Sequence, residues 1–433
     1  MKPGVSPRSS LVWILGVTVL ALPAGRSFAE TPPSVALKDS PKAVLDEAWQ
    51  IIEAEYVDAG FNKVDWQQVR QQLLGQSYTN RSQAYRALQQ AIQRLGDPYT
   101  RFLDPQQYQN LTNQTAGEFS GVGIRLRLDE TSKALQVADV MPNSPAAASN
   151  LQAGDTILQI NQRNTQGLTL EEASRLIRGP VGSGVTFKIQ RASETPFTVK
   201  VTRALVEVPS VDAALKVEGG RRIGYIRLQG FSAHAADQMR RAIQTLQKDG
   251  AQAFILDLRG NPGGLLTASI EISRMWVDQG RIVSTVDRKG ERDVFSANGT
   301  AFAKEPLVLL VDKRSASASE ILAGAIQDNQ RGVVIGTPTF GKALVQSVHG
   351  LSDGSGLAVT IAHYYTPTGR DISRKGIDPD VALEAAKQEA GSISQLAKDT
   401  SSSSDPAYAQ AIHYLSKLPL ASLPRAQKAD SSP

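Results

Sequence analysis

The spacing of hydrophobic and polar positions changes three times along the chain. From Ala43 to about Gln114 apolar residues recur at helical intervals. Val44, Leu45, Ala48, Ile51, Ile52 and Tyr56 form one such face, and Tyr85, Leu88, Ile92 and Leu95 another. Gly96-Asp-Pro98 stops the second helix. Between 117 and 203 the pattern shortens to β-like runs at 135–140, 156–160, 185–191 and 197–203, with a helix predicted over 171–178 and a shorter one opening at Ser144-Pro-Ala-Ala-Ala148. From 204 to 385 strands and helices alternate. Strands are predicted at 222–227, 253–257, 282–287, 307–311 and 333–336, and helices at 235–249 and 265–276. That alternation predicts a layered α/β core. Such cores bind ligands beyond the C-terminal ends of their strands. Three glycine- or serine-rich turns fall there, at 259–264, 313–319 and 337–342.

The ends of the chain read differently. Lys2 and Arg8 precede an apolar run from Leu11 to Leu22, and Ser27-Phe28-Ala29 is a small-x-small site before Glu30. This is the pattern of a secretory signal peptide over 1–29, and the run is short of the ~20 residues a spanning helix needs. The mature protein is expected to begin at Glu30, to be exported and to keep no membrane span. Pro32, Pro33 and Pro41 mark a linker over 30–42 ahead of the helical region, which is taken as 30–116 overall. Residues 386–433 are rich in Ser, Ala, Lys and Gln. A short helix at 406–415 is expected to dock on the body, with disorder from about Leu423.

Composition adds exclusions. Of the 433 residues 41% are hydrophobic and 21% charged, enough for two or three packed domains. The net charge is +5, but Lys2, Arg8 and Arg26 supply three of those charges inside 1–29, where there is no acid. The remaining +2 gives no reason to expect nucleic acid as a partner. There is no cysteine, which removes disulfides and thiolate chemistry and weakens any metal proposal.

Candidate chemistry centres on Arg314-Ser-Ala-Ser-Ala-Ser-Glu320, between the apolar strand 307–311 and the apolar run Ile321-Leu-Ala-Gly-Ala-Ile326. Ser315, Ser317 and Ser319 thus sit on a strand-to-helix turn. The helix N-terminus offers them free N–H groups and a partial positive charge. The same residues can simply cap the helix, with Glu320 closing a capping box. A nucleophilic serine needs a base. The histidines His234, His349, His363 and His413 are placed less clearly at strand ends than Lys342, in Gly336-Thr-Pro-Thr-Phe-Gly-Lys342. Burial between apolar stretches would lower a lysine's pKa and free it to accept a proton. Gln346 could orient it if 342–346 runs helically or in a tight turn. In Arg259-Gly-Asn-Pro-Gly-Gly264 the Gly263 N–H, with that of Ala318, would form an oxyanion hole.

In strand order and helix placement 117–203 resembles a PDZ domain. The resemblance implies capture of an extended C-terminal peptide, its carboxylate held at Gly121, Val122, Gly123 and Ile124 of Phe119-Ser-Gly-Val-Gly-Ile124. The rest matches a family. Asp257-Leu-Arg-Gly-Asn-Pro-Gly-Gly264, Ser315-Ala-Ser-Ala-Ser-Glu320, Gly336-Thr-Pro-Thr-Phe-Gly-Lys342 and Tyr364-Tyr-Thr-Pro-Thr-Gly-Arg370 follow one another as in the carboxyl-terminal processing, or tail-specific, serine proteases. Asp97-Pro-Tyr-Thr-Arg-Phe-Leu103 and Gly376-Ile-Asp-Pro-Asp380 also resemble that family, so the likeness runs from about 43 to 385. It implies an α+β multidomain fold: N-terminal helical subdomain, PDZ domain (117–203) and α/β serine-protease core (204–385). It further implies a serine–lysine dyad in which the lysine follows the nucleophile by 25 positions, which selects Ser317 and Lys342. Gln346 falls on the family's orienting glutamine, Gly263 and Ala318 on its oxyanion donors, and Asp328 on a polar position read as structural. No cofactor or metal is implied. The expected partners are proteins with apolar C-terminal tails, along with a regulatory partner. The PDZ domain could also gate the cleft, with Arg178 the candidate contact. Phe61-Asn-Lys-Val-Asp-Trp66 resembles the photosynthetic branch, some of whose members trim the photosystem II reaction-centre precursor in the thylakoid lumen, whereas others in the family act in the periplasm. Rival readings are a non-enzymatic PDZ adaptor, a hydrolase of small esters or amides, and a serine–histidine enzyme using His349 or His363.

Overall fold

The structure is a computed structural model and describes residues 40–129, 131–383 and 405–418. The expected signal peptide, most of the linker and the tail beyond Leu423 lie outside the described residues. Three helices open the described chain: α1 (Pro41–Glu55), α2 (Trp66–Gly75) and α3 (Arg81–Gln93). Ser40, Asp65 and Asn80 cap them, each side chain accepting a hydrogen bond from an otherwise orphan N–H of the first turn. Their apolar faces meet in one cluster around Leu45, Ile52, Leu88 and Leu95. A three-residue strand, β1 (Arg101–Leu103), and α4 (Pro105–Ala116) follow. The strand was not evident from periodicity, being too short to show any.

A two-stranded ribbon comes next in space. β2 (Glu118–Gly121) pairs antiparallel with β9 (Ala204–Glu207), with Gly121 opposite Ala204. Everything between them forms a separate unit with its own core. Its elements are β3 (Ile124–Leu128), β4 (Leu135–Val140), α5 (Pro145–Ala148), β5 (Thr156–Ile160), the two-residue β6 (Arg163–Asn164), α6 (Leu170–Ile177), β7 (Gly184–Gln190) and β8 (Phe197–Thr202). Sheet order is β3-β4-β5-β7-β8, so β3 lies at an edge. Inward residues Val137, Ile157, Val185, Phe187 and Val201 alternate with less buried ones, as one buried face requires.

The remaining chain builds two sheets. β10 (Val211–Glu218), β11 (Arg221–Leu228), β12 (Ala253–Asp257), β15 (Leu307–Val311), β16 (Val333–Gly336) and β19 (Val381–Ala382) form a six-stranded sheet in that order, parallel except for β10. α7 (Ala235–Lys248), α8 (Leu266–Trp276) and α9 (Ala318–Asp328) share a core cluster with one face of it. The uninterrupted apolar runs of β12 and β15 are explained by burial on both faces. Leu256 and Leu309 point to α7–α9, while Ile255 and Val308 point the other way. The second sheet is antiparallel, β1-β18-β13-β14 with β17 also on β18. It comprises β13 (Arg281–Asp287), β14 (Arg292–Ser296), β17 (Leu344–Gly350) and β18 (Gly356–Tyr365) besides β1. The predicted strand at 282–287 therefore belongs to this sheet and not to the parallel core.

α10 (Pro406–Lys417) covers the second face of the six-stranded sheet, burying Ala407, Tyr408, Ala411 and Leu415 against Tyr225, Ile255 and Val308. It corresponds to the helix expected at 406–415. Asp405 caps it and also receives two hydrogen bonds from Arg259, at 2.9 and 2.7 Å. Arg259 in turn holds Asp257, so the chain's last described element is tied to the turn that follows β12. Burial pushes the Asp405 carboxyl up, but the Arg259 hydrogen bonds and charge, with the N–H groups of Tyr408 and Ala407, outweigh it and hold the pKa below 3.8. A carboxyl depressed in the folded state contributes stability above its ordinary pKa, and that contribution disappears as pH falls through the lower folded value. Asp405→Asn is accordingly expected to cost on the order of 3 kcal/mol at neutral pH, because it removes one partner of a buried pair. Urea unfolding at pH 7 and pH 3 checks this: the difference between parent and variant should narrow at the lower pH.

Candidate active site

Two turns at the C-terminal ends of β12 and β15 lie side by side, where a parallel sheet presents its ligand site. Gly260 N–H donates to Asp312 Oδ1 (2.9 Å), Ala316 N–H to Asn261 O (3.1 Å), Ser315 Oγ to Leu258 O (2.9 Å) and Ser319 Oγ to Asn261 O (3.0 Å). These bonds separate the three serines. Ser315 and Ser319 are fully buried with hydroxyls committed to backbone carbonyls. Ser317 is partly exposed, and its O–H has no acceptor among the described residues. Its backbone is at φ 56°, ψ −114°, a region that only an over-determined non-glycine residue occupies. That conformation sets the side chain off from its two neighbours at the start of α9.

Glu320 explains how the conformation is held. It is fully buried and accepts four hydrogen bonds: Ser317 N–H at 2.8 Å, Thr339 Oγ1 at 2.6 Å, Gly341 N–H at 2.7 Å and Lys342 N–H at 3.0 Å. The reach-back to Ser317 N–H is the half of a capping box expected from sequence. The other three bonds go to the loop before β17, so one carboxylate joins the serine turn to the lysine turn. Phe340 N–H donates to Ser315 O at 3.0 Å, adding a second tie, and Tyr364 OH, from β18, donates to Ser317 O at 3.2 Å. Sequence reasoning saw Glu320 only as a cap. The available signal was a lone acid at the front of the apolar run Ile321–Ile326, where a charge is tolerated only with partners.

Lys342 is half-buried, and burial, with the nearby Arg101 charge, lowers its pKa against the opposing pull of Asp97 and Glu320. Its Nζ lies 4.6 Å from the centroid of the Tyr99 ring. Among the described residues it donates no hydrogen bond to Ser317 or Gln346. Gln346 does not follow Lys342 in a helix or tight turn. It lies on β17, opposite Thr360, next to a β-bulge between Val345 and Gln346. Its side-chain nitrogen is buried with no hydrogen-bond partner among the described residues.

Gly263 packs directly on the serine turn: a Cβ there would lie 2.7 Å from Ala316 O and 3.0 Å from Ala318 N, and its φ is 102°. Only glycine fits. The Gly263 N–H donates to Asn261 Oδ1 at 2.9 Å, whereas the Ala318 N–H, in the first turn of α9, is given to no acceptor among the described residues. Asp328, at the other end of α9, accepts from Thr368 N–H (3.0 Å), Thr368 Oγ1 (2.7 Å) and Arg370, which fits a structural role.

None of the histidines reaches the serine turn. His349 Nε2 contacts Glu55 and Ser347, both at 2.9 Å, and His234 Nε2 contacts Glu118 at 2.7 Å. His363 and His413 are exposed. The serine–histidine alternative therefore has no geometric support. Among the described residues there is no cluster of acids and histidines suited to a metal, and no helix is long and apolar enough to cross a membrane.

A second concave site lies in the β3–β8 unit. Gly121, Val122, Gly123, Ile124, Leu170, Ile177 and Arg178 line a groove of about 250 Å³ between the free edge of β3 and α6. The Val122 and Gly123 N–H groups have no acceptor among the described residues. Gly123 has φ 81°, and a Cβ would lie 2.2 Å from that of Ser144. Arg178 is exposed at the end of α6, and no hydrogen bond or ion pair joins its side chain to the core among the described residues.

Residues 222–383 match the model of peptidase family S41, and 112–190 that of the PDZ domain. A carboxyl-terminal-processing protease of Synechocystis sp. is 41% identical over 379 residues, 87% of this chain and 88% of that protein. The chloroplastic carboxyl-terminal-processing peptidase 2 of Arabidopsis thaliana is 39% identical, covering 88% of this chain and 77% of its own length. Among solved structures, a photosystem II D1 C-terminal processing protease is 36% identical with a TM-score of 0.51, over 80% of this chain and 93% of that one.

Proposed function

The chain belongs to the carboxyl-terminal-processing proteases of peptidase family S41, with a PDZ domain and cyanobacterial and chloroplast relatives, and on that premise we propose that it is an exported serine endopeptidase cutting the C-terminal tails of proteins with a Ser317–Lys342 dyad. The observation that carries the dyad is the division among the serines. Ser317 alone of the three has an O–H with no acceptor among the described residues, and Glu320 ties its turn to that of Lys342.

In the reaction, neutral Lys342 takes the Ser317 proton as Oγ bonds to the tail's carbonyl carbon. The negative oxygen that forms is met by the Ala318 N–H, and by the Gly263 N–H once it leaves Asn261. The C–N bond breaks, Lys342 returns the proton to the departing amine, and water hydrolyses the acyl-enzyme through the same base. Gln346 orients Lys342 from β17. The tail adds as a strand along β3, with its carboxylate at the Val122 and Gly123 N–H groups. Ile124, Leu170 and Ile177 favour apolar tails there, and a regulatory partner could act on the same unit. Export to the periplasm or thylakoid lumen fits the sequence of residues 1–29.

Intact-mass analysis of a protein with an uncharged apolar tail, incubated with residues 30–433, tests this reading. The parent should shorten the tail at one bond and Ser317→Ala should leave it whole. Equal shortening by both would remove Ser317 from the mechanism. A tail bound but uncut by the parent would favour the adaptor.

A further inference from the structure

The N-terminal helical region contributes one side chain to the neighbourhood of the lysine. Tyr99 stands between α3 and β1, and the Lys342 Nζ lies 4.6 Å from its ring centroid while making no side-chain hydrogen bond or close ion pair among the described residues. The loop around it is fixed on both sides. Asp97 accepts from Tyr99 N–H at 2.9 Å and from Thr100 Oγ1 at 2.7 Å. Thr360 N–H donates to Thr100 Oγ1 at 3.0 Å, and β1 pairs with β18. The ring is thus anchored to the same strand that β17, and so Lys342, is built on.

We propose that Tyr99 is a positioning residue for the lysine base: its ring holds the Lys342 ammonium in the resting site, and the lysine must leave that ring to reach Ser317. The inference rests on the reading of Lys342 as the base. Its physical ground is the attraction of a cation to the negative face of an aromatic ring, which acts on the ammonium and is lost by the neutral amine. The groups facing Lys342 divide by sign. Arg101 on β1 opposes the ammonium, and Asp97 and Glu320 favour it. Tyr99 itself faces Asp97 and Glu320, and Tyr364 lies against Glu320 and Tyr99. The ring adds to the second side, so the helical region helps set the pH above which the base is available.

The test is the pH profile of tail cleavage. The acidic limb of kcat/KM reports the free enzyme, where the ring is engaged, while that of kcat reports the bound complex, where Lys342 has moved to Ser317. Tyr99→Leu is expected to shift the kcat/KM limb down by roughly 0.4 to 1.5 pH units and to leave the kcat limb in place. Tyr99→Phe keeps the ring and should keep the parent limb. A phenylalanine carrying one, two and three fluorines at position 99 keeps the shape while weakening the ring face, and should lower the limb stepwise. This series decides the matter even where Tyr99→Leu is inactive. Coincident kcat/KM limbs across it, with Lys342→Ala inactive, would overturn the role of Tyr99 and spare the dyad. Cleavage by Lys342→Ala at the parent's rate would overturn both.

Discussion

Lys342→Ala is expected to lower kcat/KM by about 10²- to 10⁴-fold, the usual contribution of a positioned general base. Lys342→Arg should do no better. A guanidinium stays protonated at any accessible pH, so it restores the charge and the length without restoring a proton acceptor. The reason a lysine can serve at all is visible in its surroundings, since burial and Arg101 together outweigh Asp97 and Glu320 and lower its pKa from 10.5. The same shift has a consequence for folding. A base whose pKa is depressed in the folded state binds its proton more tightly when unfolded. Below the ordinary lysine pKa it therefore opposes folding, and the opposition vanishes as pH rises past it. Lys342→Met, which keeps the apolar stem and drops the charge, should thus unfold at a higher temperature than the parent at pH 7 while losing as much activity as Lys342→Ala. Thermal scans and initial rates on the same samples check both halves. A variant that is inactive and less stable would mean the lysine is structural.

Glu320→Gln is expected to be nearly as damaging, although it changes one atom. Oε1 accepts from Thr339 Oγ1 and Gly341 N–H, and Oε2 from Ser317 N–H and Lys342 N–H. A glutamine must turn its NH₂ toward one of these pairs: at the first the Gly341 N–H loses its acceptor while the Thr339 hydroxyl can reverse and accept, and at the second the Ser317 and Lys342 N–H groups both lose theirs, inside a site with no exposure. One or two hydrogen bonds to a charged group at roughly 1.5–3 kcal/mol each put the loss at about 1.5–6 kcal/mol in stability. In the second orientation the backbones of Ser317 and Lys342 lose their restraint together, and kcat should fall by roughly 10²-fold or more. Denaturant unfolding with rate measurement separates the two effects. Full activity in the variant would show that the Ser317 turn holds its strained geometry without Glu320.

The serine turn was legible in sequence because strand, turn and helix signals met within a few residues of Ser317. Lys342 and Gln346 were harder. Their spacing allowed a helical turn, but pairing of Leu344–Gly350 with β18 overrode it, and the partner of Gln346, Thr360, lies 14 residues later in the chain and cannot be read from a window of about ten. The two-sided burial of β12 and β15 could be anticipated from runs with no polar break. The assignment of residues 282–287 to the other sheet could not, because an apolar run does not name its partner strand. Tyr99 was invisible for a related reason. Nothing in Asp97-Pro-Tyr-Thr-Arg-Phe-Leu103 shows that its aromatic ring meets a lysine almost 250 residues later, and the helical region around it gave no sign of chemistry. Arg259 looked like part of a glycine turn, and only the docked α10 reveals its second carboxylate.

The ribbon of β2 and β9 has a bearing on chain entropy. Gly121 and Ala204 face each other, so to the rest of the molecule the whole β3–β8 unit is a single loop closed at its base. Loop closure grows only as the logarithm of length, about 0.6 kcal/mol for each doubling. Extending a tight turn of ~5 residues to ~80 is four doublings, or roughly 2.5 kcal/mol. The unit brings its own apolar core around Val137, Ile157 and Phe187, which more than offsets a term of that size. The PDZ domain is therefore carried at the cost of a modest surface insertion.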